Sequence, residues 1–247
     1  WIPGLSLSVD YFNIKVDDVI TAPSAQQILN ACYDAPNLDN PFCGLFTRNG
    51  ATEGPSGEAA YQVLQGSLQQ TTLNYAKLTA EGINAELNYR HDFSWGSAGF
   101  KTVYTRMIKR NEYLNPADPS FRNQILEELG DPKNQVNFNG DVKFGKLTIG
   151  YQMRWIDKMY LNTYEDYNSV NGLPPQNADY ASLKKYPDVF YHDARMGYDV
   201  TEKFNIYVGV DNIGNRAPPF GLTGVGAGSG IYDVRGRYGY IGAVAKF

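Results

Sequence analysis

The sequence predicts an all-β fold, an antiparallel transmembrane β-barrel to which this chain contributes about eight strands. Apolar and polar residues alternate with period two, short and long connections alternate strictly, and 25 Gly and 13 Pro punctuate the 247 residues. The mean hydropathy is −0.42, and no run approaches the roughly 18 apolar residues of a membrane helix. Strands of a membrane barrel average out as hydrophilic because only alternate side chains face lipid.

The alternation predicts where the strands lie, because successive side chains of a strand point to opposite faces of the sheet. Two further segments, residues 100–107 and 231–247, show a weaker pattern. The clear strands are residues 5–11, 83–90, 135–144, 147–155, 190–200 and 204–211.

The connections favour a membrane barrel over a soluble sandwich, whose loops of either length fall at either end. Outer-membrane barrels have short periplasmic turns and long extracellular loops. We therefore expect the long loops outside the cell and the C-terminus in the periplasm. The short connections are residues 91–97, 145–146 and 201–203, and the long ones are 21–71, 111–133, 160–187 and 214–231.

The two faces of these strands differ in polarity, as lipid on one side and a wet lumen on the other would require. A charge facing mid-bilayer lipid costs about 2–4 kcal/mol, and the clear strands avoid one. Arg106, in the weak strand, has no obvious place. Aromatic residues near strand ends predict interfacial girdles, with Trp155 near the lipid boundary; they are Tyr11, Phe12, Trp95, Trp155, Tyr160, Tyr238 and Tyr240.

Two long connectors carry helix signals. Residues 24–31 are predicted as a short helix capped by Ser24, and residues 119–129 as another capped by Ser120. Residues 221–230 are glycine-rich, but no Gly-Lys-Ser/Thr follows, so they do not form a phosphate-binding loop.

The cysteines indicate the compartment of the protein, and the net charge limits the partners that we expect. Cys32 and Cys43 lack zinc-site spacing and the chain has only 2 His, which favours a local disulfide and an oxidising compartment. Two free thiols remain the alternative. The net charge of −4 gives no basic footprint, so we expect no nucleic-acid partner. No resident cofactor or metal is expected, since Asp34, Asn37, Asp39 and Asn40 suit turns better than a calcium loop.

Five segments, taken in order, resemble the C-terminal part of a TonB-dependent outer-membrane receptor. They are GLSLSVDYFNIKV (4–16), the Cys32 to Cys43 loop with Arg48, NYAKLTAEGINAELNY (74–89), VGVDNIGNRAPP (208–219), and YDVRGR (232–237) before a strand ending in Phe247. The resemblance implies a 22-strand barrel with an N-terminal plug, of which residues 1–247 supply about the last eight strands without the plug or its TonB-contacting box. It also implies outer-membrane lipid, the TonB system and the barrel assembly machinery as partners, with Phe247 as the assembly signal.

The expected function is capture of a scarce small-molecule substrate (a siderophore, cobalamin or an oligosaccharide) by external loops, followed by TonB-coupled import. Aromatic side chains in the long loops are candidate substrate contacts: Tyr164, Tyr167, Tyr180 and Phe220. A self-contained eight-stranded barrel serving as an anchor or adhesion module is the alternative, and a soluble β-sandwich or lipocalin-like binder is a further one. An enzyme is disfavoured, because His91 falls in a turn and His192 on an apolar face.

Overall fold

The computed structural model describes residues 2–35, 37–219 and 230–246. Its helices are α1 (Ala25–Tyr33), a short 3-10 helix (Cys43–Leu45) and α2 (Tyr164–Tyr167). None of the helices described is long and apolar enough to cross a membrane. The strands are β1 (Leu5–Thr21), β2 (Leu73–Phe93), β3 (Gly96–Tyr113), β4 (Asn123–Gln124), β5 (Asn134–Phe144), β6 (Leu147–Ile156), β7 (Met159–Tyr160), β8 (Lys185–Tyr186), β9 (Val189–Thr201), β10 (Phe204–Asp211) and β11 (Tyr238–Ala245).

The eight long strands form one antiparallel sheet in the order β1-β2-β3-β5-β6-β9-β10-β11, with β4 added beside β3. The predicted all-β fold is confirmed, and so is the alternation of connections. Turns of two residues join β2 to β3, β5 to β6 and β9 to β10 at one end, which we call the short-turn end. Residues 22–72, 114–133, 157–188 and 212–237 connect the strands at the other, the long-loop end.

The weak strand at residues 100–107 is the middle of β3, and the predicted turn at residues 91–97 shrinks to Ser94 and Trp95. The predicted helix at residues 24–31 is confirmed as α1. The Ser24 hydroxyl accepts from Gln27 N at 3.3 Å while the Gln27 side chain accepts from Ser24 N at 2.8 Å, a reciprocal capping box.

The predicted helix at residues 119–129 is wrong. Asn123 and Gln124 pair with β3 as β4, and Ile125 N donates to Arg110 O at 3.0 Å. Glu127 then adopts φ +72°, which no right-handed helix contains. The backbone amides of this segment are satisfied by the edge of a neighbouring strand, which a local pattern cannot reveal.

The register aligns the apolar side chains of all eight strands on one face, which we call the apolar face. One row runs Leu7, Leu87, Thr102, Phe138, Met153 and His192. Val208 and Ile241 continue the face onto β10 and β11. The opposite, polar face carries ion pairs, among them Lys101 Nζ to Glu86 Oε2 at 2.8 Å.

The apolar face is tall enough to match a bilayer. On β2 it runs from Ile83 to Phe93, which is about 34 Å of strand and about 26 Å of height at a tilt near 40°. Beyond Ile83 the same side of β2 turns polar, with Glu81, Thr79 and Lys77 replacing apolar residues. The exposed Arg106 pairs in register with Ile83 and Asn134, so it lies at this change of polarity and not in the apolar band.

Aromatic side chains line both edges of the apolar band, although not all the predicted ones do. At the short-turn end Trp95 stacks on Phe93 at 4.8 Å and on Phe144 at 4.5 Å between ring centres. At the other edge Trp155 Nε1 donates to Asp188 Oδ2 at 2.9 Å, as expected of an indole at a lipid boundary.

Four of the aromatics predicted for the girdles lie elsewhere. Phe12 pairs with Gly82 and covers it on the polar face. Tyr160 is buried in the long loops against Tyr164 and Tyr167. Tyr238 and Tyr240 pair with Asp211 and Gly209, on the polar face, because the register of β11 sends its even-numbered residues there.

The sheet does not close on itself in the part of the chain that the structure describes. β1 and β11 are its two edges, and each pairs on one side only. A self-contained eight-stranded barrel would require these two strands to pair. The only sizeable buried cluster described lies at the long-loop end, where Ile156, Met159, Val189, Tyr191 and Tyr232 pack together.

If the apolar face contacts lipid, Ile149→Arg in the full-length protein will lower the free energy of unfolding from phospholipid vesicles by about 2–4 kcal/mol. Thr148→Arg, one residue earlier and on the polar face, is the matched control and should change it by less than about 1 kcal/mol. Urea titration followed by tryptophan fluorescence measures both. Equal tolerance of the two arginines would contradict the assignment of the faces.

Candidate functional site: the long-loop end and the polar face

We name the four long connections L1 (22–72), L2 (114–133), L3 (157–188) and L4 (212–237, with 220–229 outside the described residues). In L1, Cys32 and Cys43 form the predicted disulfide, with an S–S distance of 2.07 Å and a Cα–Cα distance of 4.8 Å. The bond ties the last turn of α1 to the 3-10 helix. Phe42, beside it, packs edge-on against Tyr75 of β2 at 5.8 Å, which anchors the loop to the sheet.

The Asx residues of L1 form turns. Asp39 N donates to Asn37 Oδ1, and Phe42 N donates to Asn40 Oδ1, both at 3.0 Å. These bonds are the local side chain to backbone contacts that favour Asn in turns. Throughout residues 2–35, 37–219 and 230–246, no group of three or more His, Cys, Asp or Glu is arranged to hold a metal.

Loops L2 and L3 are joined by three neighbouring glutamates, which we call the glutamate latch. Glu128 Oε1 accepts from Tyr164 N at 2.8 Å, and Glu165 Oε1 accepts from Gln124 N at 3.2 Å. Glu127 Oε1 pairs with Lys185 Nζ at 2.7 Å. The first two contacts are reciprocal, since a carboxylate of each loop accepts from a backbone N–H of the other.

Burial raises the pKa of Glu128 to about 7, against the opposing effect of the Tyr164 N–H. The carboxylates of Glu165, Glu112 and Asp131 raise this pKa further. The latch therefore brings negative charges together in a partly desolvated site. Protonation of Glu128 relieves the repulsion between these charges.

The aromatic candidates of L3 have different environments. Tyr167 is buried and stacks on Tyr160 at 5.5 Å, and Tyr164 meets the same ring edge-on at 5.7 Å. Tyr180 is 52% exposed and lies where a solute can reach its ring. Phe220 and Phe247 lie outside the described residues.

Asn212 organises the start of L4, within the motif VGVDNIGNRAPP. It is 1% exposed and adopts φ +49° just after β10. Its N–H donates to Asp193 Oδ1 at 2.7 Å, and its side-chain oxygen accepts from Arg216 N at 2.7 Å. Asn tolerates this left-handed conformation better than most residues. The result is a sharp, fully bonded exit from the sheet that fixes L4 against β9.

The polar face carries arginines supported by tyrosine rings. Arg154 Cζ lies 5.0 Å from the centre of the Tyr191 ring, and Arg195 Cζ lies 4.1 Å from that of Tyr207. Sequence reasoning missed both arginines as candidates. The signal exists only across strands, because Arg195 on β9 meets Tyr207 on β10 diagonally.

Neither histidine is arranged for catalysis. His192 lies on the apolar face, where its Nδ1 is 2.6 Å from Tyr151 Oη. His91, predicted in a turn, lies in β2, where it stacks on Tyr89 and meets the Phe93 ring edge-on. Both rings belong to the outward surface of the sheet, as expected for His192 from its place in the alternation.

Comparison with known proteins decides the family. Residues 2–213 match the family model described as TonB dependent receptor-like, beta-barrel. The chain belongs to the TonB-dependent receptor family. It is therefore part of an outer-membrane β-barrel, with its apolar face toward lipid and its polar face toward the lumen. Receptors of this family are transporters and not enzymes. Comparison with curated proteins finds no match.

Solved receptors share the fold at low identity. The chain is 15% identical to the siderophore receptor PirA from Acinetobacter baumannii, with a TM-score of 0.57, covering 100% of this chain and 30% of that one. It is 16% identical to a mutant of the ferric enterobactin receptor PfeA from Pseudomonas aeruginosa, with a TM-score of 0.56, covering 100% of this chain and 29% of that one. It is also 16% identical to the pyoverdine receptor FpvA from Pseudomonas aeruginosa PAO1, with a TM-score of 0.53, covering 99% of this chain and 27% of that one. The chain thus spans less than a third of the length of these receptors.

The glutamate latch predicts a pH-dependent packing of L2 on L3. Because folding raises the pKa of Glu128 from 4.5 to about 7, the contribution of Glu128 to this packing is fully present below pH 4.5 and is lost as the pH rises through about 7. Glu128→Gln keeps an acceptor for Tyr164 N and removes the charge. We expect slower amide exchange in residues 124–131 and 160–168 of this variant than of the wild type at pH 8, and equal exchange near pH 4.5.

Glu127→Gln is the matched control for this prediction. It removes the partner of Lys185 instead of a destabilising charge, so exchange should quicken at pH 8. If Glu128→Gln also quickened exchange at pH 8, the charge on Glu128 would be favourable and the argument would be wrong.

Proposed function

We propose that the chain is the C-terminal part, about the last eight strands, of the barrel of a receptor that imports a ferric siderophore across the outer membrane in a TonB-coupled manner. The observation that carries the proposal is the sheet itself. Its two faces suit lipid and a wet lumen, and its two edge strands leave backbone groups that further strands would pair.

The long-loop end is proposed to face the outside of the cell, and the short-turn end the periplasm. The asymmetry of connection lengths supports this orientation. Coupling would pass through a plug domain that contacts TonB, and Phe247 would serve the barrel assembly machinery during insertion.

A siderophore is proposed over cobalamin or an oligosaccharide. The three solved receptors compared above carry siderophore, ferric enterobactin and pyoverdine in their descriptions, which supports this class. At the long-loop end Tyr180 would offer its ring to the chelate. Tyr164 and Tyr167 would contribute by holding L3 in shape, since their rings pack on Tyr160. Phe220 remains a proposed contact.

Deleting the full-length gene should abolish receptor-dependent uptake of radiolabelled ferric enterobactin or ferripyoverdine by iron-starved cells. Tyr180→Ala in the full-length receptor should weaken surface binding of the transported chelate roughly fivefold, the effect of losing about 1 kcal/mol of ring contact. Tyr180→Phe keeps the ring and should bind as the wild type does. Equal binding by all three proteins would exclude Tyr180 from capture, and unchanged uptake after deletion would overturn the siderophore proposal.

A further inference from the structure

One register row on the polar face alternates glycine with large polar side chains. Across the strands it runs Arg90, Gly99, Asp141, Gly150, Arg195, Gly209 and Tyr240. A glycine on a barrel wall leaves a gap one side chain deep, and neighbours can fill that gap. What covers each glycine therefore decides whether the wall is flat or recessed there.

One of the three glycines is covered by a ring, and a second is spanned by an ion pair but still borders a recess of about 280 Å³. Arg90 Nη1 reaches Asp141 Oδ2 at 3.6 Å across Gly99. The Tyr240 ring lies over Gly209 so closely that a Cβ there would come within 2.2 Å of it. Gly150 is different, because the nearest atoms to a Cβ would be the backbone oxygens of Arg195 and Gly140, both at 3.9 Å.

The open glycine lies at the floor of a recess in the wall. The recess has a volume of about 310 Å³ and is lined by polar side chains of β5, β6, β9 and β10, including Asn139, Gln152, Asp193, Arg195 and Asp211. A second recess of about 470 Å³ shares Gln152, Asp193 and Asp211 with it, and adds Arg154 and Arg235. Together they form a continuous polar track, which runs along β6 and β9 from the end of L4 to Gly150.

The track has unused hydrogen-bond donors. Among the described residues, neither Arg154 nor Arg195 has a carboxylate within salt-bridge distance. Their guanidinium planes rest on the rings of Tyr191 and Tyr207, which leaves the N–H edges open to a ligand.

Three of the four carboxylates that line the track are engaged, and Asp211 is the one whose side chain has no partner among the described residues. Asp193 accepts from Asn212 N, Asp141 pairs with Arg90, and Asp233 accepts from Arg235 N at 2.9 Å. The unused capacity of the track is therefore mostly that of donors. A solute rich in acceptor oxygens therefore suits the track best. The nearby carboxylates weaken the attraction of the arginines for such a solute, so that the solute can be released.

We propose that this track, from Arg235 through Arg154 to the recess at Gly150, is the wall subsite along which an oxygen-rich solute descends the lumen, with acceptor atoms bound by Arg154 and Arg195. The inference rests on the proposed import function and assigns that transit to the β6–β9–β10 side of the barrel. Gly209, at the same height, is closed by the Tyr240 ring, whereas Gly99 borders a further polar recess of about 280 Å³ on the β2 side.

Cysteine accessibility tests the recess without any transported chelate. The only two cysteines of the chain are bridged, so Gly150→Cys adds a single free thiol to it. In intact, energised cells making the full-length receptor, sulfonatoethyl methanethiosulfonate should modify Gly150→Cys at least roughly tenfold faster than Gly209→Cys, because Gly209 lies under the Tyr240 ring. Equal rates, or no reaction at Gly150→Cys, would overturn the proposal. Heat-dependent gel mobility verifies that both variants fold.

The charge of the reagent tests the role of Arg195. Removing one positive charge a few ångströms from the thiol should lower the ratio of anionic to cationic reagent rates roughly tenfold. We therefore expect Arg195→Gln to have this effect at Gly150→Cys, measured with sulfonatoethyl and trimethylammonioethyl methanethiosulfonates. An unchanged ratio would remove Arg195 from the subsite and contradict the proposed donor role.

Uptake supplies the functional arm. Gly150→Phe fills the recess, and Gly150→Ala is the matched control because its methyl group fits at 3.9 Å from any neighbour. With radiolabelled ferric enterobactin or ferripyoverdine, Gly150→Phe should lower uptake more than tenfold while surface binding is retained, and Gly150→Ala should match the wild type. Normal uptake by Gly150→Phe would overturn the transit role. If the wild type imports neither chelate, the siderophore proposal fails and the thiol rates still decide whether the recess is open.

Discussion

The structure depends on one constraint: within hydrocarbon, every backbone N–H and C=O must find its partner inside the protein. Antiparallel pairing satisfies this along all eight long strands, and the same pairing sends alternate side chains to opposite faces. Once the ladder is formed, the apolar face and the polar face follow from period two. The molecule has little buried core in its sheet, because its apolar side chains are solvated by lipid instead of by each other.

The polarity of the faces changes where the bilayer ends, and this change explains residues that conflict with a simple alternation. Arg106 is such a residue, since it shares a row with Ile83 and Asn134. Beyond it the outward side of β2 and β3 carries pairs such as Lys109 with Glu81, at 2.6 Å. The strands continue past the membrane as a polar collar, and the packed core forms there among L2, L3 and L4. The glutamate latch and the buried Tyr167 belong to this collar.

Much of the architecture could be predicted from local patterns. The alternation along residues 147–155 and 204–211 corresponds to β6 and β10, and the Ser24 cap begins α1. The failures share a cause. Residues 119–129 have a helical pattern, yet their backbone pairs with β3. Tyr160 and Tyr240 were placed at the lipid boundary from their position near strand ends, whereas packing and register put them in the loops and on the polar face.

The sequence by itself determined which side chains share a face, the number of long strands and the alternation of turns and loops, and it favoured a disulfide between Cys32 and Cys43. These are properties of neighbours along the chain, and period two expresses them directly. Only the tertiary structure decided which residues stand beside each other across strands. Register is set over the whole sheet, so the row that leaves Gly150 open, the tyrosines beneath Arg154 and Arg195, and the reciprocal contacts of Glu128 and Glu165 could not be seen before the strands were aligned.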